Sequence, residues 1–279
     1  MIAGHADRGP ARTSSPMGAA GVGIRRIDTE DLRYALGRGL DDFRAMPRHI
    51  LFLAILYPVI CLAIVGLVFN YNLLVLLFPV IAGMALLGPF AAVGLYELSR
   101  RREQGLDTTW WRMFAVGRFA SGGSILLLGL ALLGMFLLWL FAALGIYRAT
   151  FGETPFASPE FWDQLFTTPH GWALILIGNG VGALFAIAVF AASVVSFPML
   201  VDRKVKLTDA VETSIRAVAA NPRTMLLWGL IVVALLALGA IPLFVGLAVV
   251  LPVLGHATWH LYTRLIERPH QGPVSFRRG

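Results

Sequence analysis

The sequence is short of charge. Only 14% of its 279 residues are Asp, Glu, Lys or Arg, where a soluble domain carries roughly 25% to cover its surface. No charged residue occurs between Ile50 and Tyr96, and none between Thr224 and Thr263. A chain of this kind needs lipid as part of its solvent, so a wholly water-soluble fold is excluded. The single cysteine, Cys61, rules out an intrachain disulfide and any CxxC motif, and inside an apolar run it reads as a packing residue. Histidine is also sparse. Four of the six, His5, His49, His170 and His270, fall in tails or at span ends, which excludes a haem-copper core with its many intrahelical ligands. Also missing are a phosphate-binding glycine loop, a nucleophile elbow and an HExxH pair.

What is present is hydrophobic length, with 57% of residues apolar. A hydrocarbon core about 30 Å thick is crossed by about 20 residues of helix. The 47 uncharged residues from Ile50 to Tyr96 would make a helix of roughly 70 Å, so they must turn back, and Asn70-Tyr71-Asn72 supplies the turn. Spans are predicted at about 50–69, 73–96, 124–147, 171–198, 224–240 and 243–263, the last two separated at Gly239-Ala240-Ile241-Pro242. The expectation is an all-α polytopic fold of six transmembrane helices in three hairpins. A disordered basic tail (1–26), one membrane domain (27–268) and a C-terminal tail (269–279) make up the chain.

Lys and Arg decide the orientation. Of 23, 22 fall on one side of these spans and only Arg148 on the other, which predicts cytoplasmic N and C termini in a bacterial inner membrane. The net charge of +7 is spread along that face, where anionic lipid, not nucleic acid, is the expected partner. On the opposite side, residues 148–170 form the one sizeable loop. Its Ser158-Pro159-Glu160 predicts a helix start, and Phe161, Trp162, Leu165 and Phe166 predict a short helix at the outer interface.

The basic segments resemble one another. Leu32, Ala35, Leu36, Leu40, Phe43, Pro47 and Arg48 align without gaps on Leu207, Ala210, Val211, Ile215, Val218, Pro222 and Arg223. Each set predicts a cytoplasmic amphipathic helix closed by a proline. Leu106, Trp110 and Phe114 are a weaker relative, with Gly122-Gly123 in the proline's place. Three units, each an amphipathic helix followed by a hairpin, are therefore expected. Gly88-Pro89, Pro198 and Pro252 are expected to kink or end their helices.

Candidate sites are few. Asn179, flanked by Gly178, Gly180 and Gly182, is the main polar residue near mid-membrane. It is either a binding position or an interhelical hydrogen bond in a small-residue face. His256 and His260 share one helix face at i, i+4 spacing. With Glu97 and Asp202 they form a candidate cytoplasmic-face cluster, His49 lying near the same boundary. The two histidines are also weak candidates for a metal. The plainer reading pairs Glu97 with Arg101 and Asp202 with the Arg203 region and leaves the histidines hydrogen-bonded, so no cofactor and no catalytic residue is predicted.

Gly88-Pro89 with Gly94 to Arg101, Ser196 to Arg203, and Gly255 to His260 with Tyr262, taken in this order over residues 27–268, resemble an uncharacterised bacterial family of predicted integral membrane proteins with a domain of unknown function. The resemblance implies a multi-span inner-membrane protein of Gram-negative bacteria and no established activity, cofactor or site. All three motifs fall at the cytoplasmic ends of even-numbered spans, where any shared function is expected. A non-enzymatic organising or partner-binding subunit, with a membrane-protein partner or a second copy, is the first expectation. A small-solute or lipid transporter is the second, and a haem- or metal-binding redox protein the third.

Overall fold

The computed structural model describes residues 22–46, 74–109, 111–112, 121–242 and 244–268, with isolated positions 63 and 66. Ten α-helices account for most of them: α1 (Thr29–Ala45), α2 (Leu77–Ala91), α3 (Val93–Glu103), α4 (Gly122–Phe151), α5 (Pro159–Thr167), α6 (Pro169–Ser193), α7 (Ser196–Asp202), α8 (Leu207–Ala220), α9 (Pro222–Ala240) and α10 (Leu247–Leu265). A short 3-10 turn, Leu74–Leu76, leads into α2. Among the described residues there is no strand, only an isolated antiparallel bridge between Ile24 and Ile266.

Three of the described helical stretches are long and apolar enough to cross a membrane: Gly122–Phe151, Pro169–Asp202 and Pro222–Ala240. A fourth is the pair Leu74–Ile81 and Ala85–Ala91, bent by 46°. That bend lies one turn before Pro89, where the missing N–H frees the carbonyl of Ala85 and the ring crowds it. The predicted span at 50–69 lies outside the described residues. The predicted span at 243–263 corresponds to α10, which does not reach the same apolar length, because its second half carries His256, Trp259, His260, Tyr262 and Arg264.

The core sits at the end of the bundle where these polar residues gather. Leu98, Val195, Phe197, Met199, Leu200, Trp259, Leu261, Tyr262 and Leu265 are all buried, drawn from the ends of α3, α6, α7 and α10. Towards the other end, the shafts of α4 and α9 show rows of large apolar side chains, including Leu130, Phe141, Leu230 and Val233. Lipid solvates such faces.

Sequence signals explain the ends of α1 and α5. Asp28 and Asp31 make a reciprocal capping box at the start of α1, which satisfies orphan N–H groups and suits the helix dipole. Ser158 caps α5 as expected, accepting from the N–H of Phe161. Phe161 is buried with Tyr147, Phe151 and Leu165, while Trp162 and Phe166 stay exposed.

The helices expected over the first and last basic segments, α1 and α8, both form. Their buried stripes keep Leu32, Ala35 and Ala210 of the expected apolar ones and differ in the rest. In α1 the buried residues are Leu32, Ala35, Gly39 and Asp42; in α8 they are Ala210, Thr213, Ser214 and Ala217. Ile215 is exposed. Small residues, more than large ones, face the neighbouring helix, because they let the backbones approach closely. Leu106 is exposed, and Trp110 and Phe114 lie outside the described residues. Residues 22–26, counted with the tail in the sequence, run beside the end of α10, where Arg25 N–H donates to Leu265 O and Glu267 N–H to Gly23 O. Asn221 holds this segment from the other side, accepting from Ile27 N–H and donating to Arg25 O.

The break between α6 and α7 is met by side chains. The N–H of Val195 donates to Ser214 Oγ at 3.1 Å, and Ser196 Oγ donates to the carbonyl of Ala210 at 3.0 Å. Pro198, with no N–H for the carbonyl of Val194, disfavours a continuous helix at this break, and Ser214 takes up the Val195 N–H.

Candidate functional site

Two sets of polar groups are built at the charged end. The first is built by a close approach. A Cβ on Gly39 would stand 2.7 Å from the backbone N of Ala257 and from the carbonyl of Val253, so only glycine lets α1 lie this close to α10. Gly255 is also close to α3, where a Cβ would meet the Leu95 side chain, Cδ1 at 2.5 Å and Cβ at 3.1 Å. Less than a turn beyond Gly39, Asp42 reaches into the space between α3 and α10.

There Asp42 Oδ2 accepts from Ser99 Oγ at 2.5 Å and lies 2.9 Å from His260 Nε2. Oδ1 accepts from Arg102 Nη1. Since the Ser99 hydroxyl points at the carboxylate, its contact with His256 Nδ1, at 2.8 Å, is one in which the imidazole donates. Both histidines therefore turn an N–H towards the same anion, one directly and one through Ser99. Asp42, Ser99, His256 and His260 are all under 5% exposed, which seals the set from solvent. Burial alone would raise the Asp42 pKa. The hydrogen bonds from His260, Ser99 and Arg102, with the charge of His260, outweigh it and hold the carboxyl at about 2. Asp42 is thus an anion at neutral pH.

The second set joins α3, α7, the last turns of α10 and Arg268 beyond it. Tyr262 OH donates to Asp202 Oδ2 at 2.7 Å, and Arg203 stands 3.3 Å from the same oxygen. Arg268 Nη1 donates to Glu103 Oε2 at 2.9 Å and Arg268 Nε lies 3.4 Å from Asp202, its guanidinium over the rings of Trp259 and Tyr262. Burial pulls the pKa of Arg268 down, but Asp202 and Glu103 more than offset it, and the net shift is upward. Glu97 is paired along its own helix, with Arg100 at 2.8 Å and Arg101 at 3.4 Å.

The sequence cluster of Glu97, Asp202, His256 and His260 thus divides. The two histidines come together, but around Asp42. Asp202 and Glu97 hold separate arginines, as the plainer reading had it, with Arg100 the nearer partner of Glu97. His49 lies outside the described residues. Asp42 and Arg102 are not among the sequence candidates, and Ser99 enters only as part of the Gly94 to Arg101 motif. One signal was available for Asp42: it continues the stripe Leu32, Ala35, Gly39 at helical spacing, an acid on a buried face. Asn179 is elsewhere, exposed on α6, its amide donating to the carbonyl of Ile175 at 2.8 Å. Among the described residues no three His, Cys, Asp or Glu are grouped to hold a metal ion.

Residues 77–202, from the start of α2 to the end of α7, match a family described as predicted integral membrane protein (DUF2189). The protein is an integral membrane protein of unknown function. The match takes in Glu97, Ser99, Asn179 and Asp202 and leaves out α1 and α10, which supply Asp42, His256 and His260. No curated protein and no solved structure matches the chain.

Proposed function

We propose that the protein is a non-enzymatic organising or partner-binding subunit of a bacterial inner membrane, with six spans and both termini cytoplasmic. One observation carries the reading: Asp42, His256 and His260 are turned on one another and, with Ser99, sealed from solvent. A catalytic acid, base or metal ligand must meet a substrate or ion, whereas Asp42, Ser99, His256 and His260 join α1 to α3 and α10. The set acts as a lock that holds an amphipathic helix on the bundle. A redox role would require His256 and His260 to leave Asp42 and Ser99, so a function without cofactor fits the geometry better.

Orientation rests on the 22 of 23 cationic residues assigned to one side, where anionic headgroups are the lipid partner. The helix breaks at Ala92 and at Val194-Val195 favour a second reading, a small-solute or lipid transporter, since broken spans recur in transporters. Mild extraction from native membrane, followed by mass spectrometry, separates the readings. A second membrane protein held in stable proportion is the expected result. A chain recovered alone, with solute flux in proteoliposomes, supports transport and ends the organising role.

A further inference from the structure

Asn179 lies ten residues after Pro169, the first residue of α6, which places it about 15 Å along the helix, half the depth of a hydrocarbon core. A carboxamide has two N–H donors and an oxygen acceptor. Here one donor is used within the helix, and among the described residues the oxygen accepts from nothing. Lipid chains offer no donor, so the group is costly where it stands.

Its neighbours along the helix face are also exposed. Trp172, Leu176, Ala183 and Ala186 stand with Asn179 at heptad spacing on the open side of α6. A face meant only for lipid has no need of two alanines one and two turns from a polar group. The two small side chains let another helix come close at the level of the carboxamide.

We propose that this stripe is the twofold contact between two copies of the chain, with the carboxamide of Asn179 hydrogen-bonded to Asn179 of the partner subunit. Copies inserted in the same direction are related by an axis along the membrane normal, which puts each residue at the depth of its own equivalent. A carboxamide, both donor and acceptor, is complementary to itself. A different partner would have to bring a polar group to that same depth. The inference rests on the partner-binding reading and names a second copy as the partner.

The test uses the full-length chain in native membranes with Cys61→Ser, so that an added cysteine is the only thiol. Oxidation of Ala183→Cys is expected to give a disulfide-linked dimer, and Leu184→Cys, also exposed but off the stripe, is expected to stay monomeric. Asn179→Leu should weaken the dimer about tenfold, and Asn179→Gln should retain it. No dimer from Ala183→Cys in the presence of Asn179, or equal dimer from Leu184→Cys, overturns the proposal. An Ala183→Cys adduct with a different protein also overturns it and leaves the partner-binding reading standing. An Ala183→Cys dimer in a preparation free of other proteins supports the twofold and counts against an organiser of other proteins.

Discussion

Helices α9 and α10 are consecutive, pack together and are each 19 residues long, yet they occupy different solvents. The most apolar window of α9 is only 17% buried. It is held at its first turns by Met225 and Trp228, packs Ile231, Val232, Leu235 and Leu236 partly on the core, and turns the rest of its apolar side chains to lipid. From Leu254 to Leu265, α10 is buried almost without interruption, and its polar residues are satisfied by α1, α3 and α7. Burial therefore has a different meaning at the two ends. In lipid, an exposed leucine costs little, and shaft packing adds modestly to stability. At the charged end, a sealed polar group left without its partner is costly.

That contrast predicts where substitutions hurt. The largest effect is expected for Asp42→Ala, which strips Ser99, Arg102, His256 and His260 of their common anion. Losing one side of a buried charged set costs about 3–5 kcal/mol, seen as a lower melting temperature and rapid protease cleavage before α2. Gly39→Val should follow, at roughly 1–3 kcal/mol or more, since the Ala257 and Val253 backbone atoms in its way cannot move aside. The same assay at lower protein stability should show α1 released while α4, α6 and α9 stay inserted.

Acid should act through Asp42 in one direction. Its carboxyl is held at about 2 in the folded protein against an ordinary 3.8, so the stabilisation is fully present above pH 4. It is lost as the pH falls from there towards 2, an amount of about 2 kcal/mol. Melting followed across that window should show the loss in the natural chain and a flatter profile in Asp42→Asn. The smallest effect belongs to α9: Val233→Ala, 63% exposed, should change stability by no more than about 0.5 kcal/mol. A large loss there would mean that α9 is covered by protein, and the contrast with α10 would fail.

Much of the fold was legible in advance because lipid imposes simple rules. Uncharged stretches of fixed length marked the helices now seen as α4, α6 and α9, and Ser158-Pro159 marked the start of α5. The site was less legible. His256 and His260 were found as a pair because i, i+4 spacing is a local property. Asp42 lies 214 residues before His256 and its partner Ser99 sits in an arginine-rich run, so neither position announces the contact. The expected stripe of α1 begins with Leu32 and Ala35, which are buried, but continues through Leu36, Leu40 and Phe43, whereas Gly39 and Asp42 are the buried residues that follow, since close packing selects for small side chains. Glu97 and Asp202 share a boundary with the histidines but point to arginines instead.

Composition and periodicity alone determined the solvent, the helical class and the existence of amphipathic helices beside apolar ones, because each follows from how single segments partition between water and lipid. Only the tertiary structure decided that α10 turns its second half inward, and that one buried aspartate gathers a serine, an arginine and two histidines. Those outcomes depend on how closely helices far apart in the chain can approach, and Gly39 sets that distance between α1 and α10.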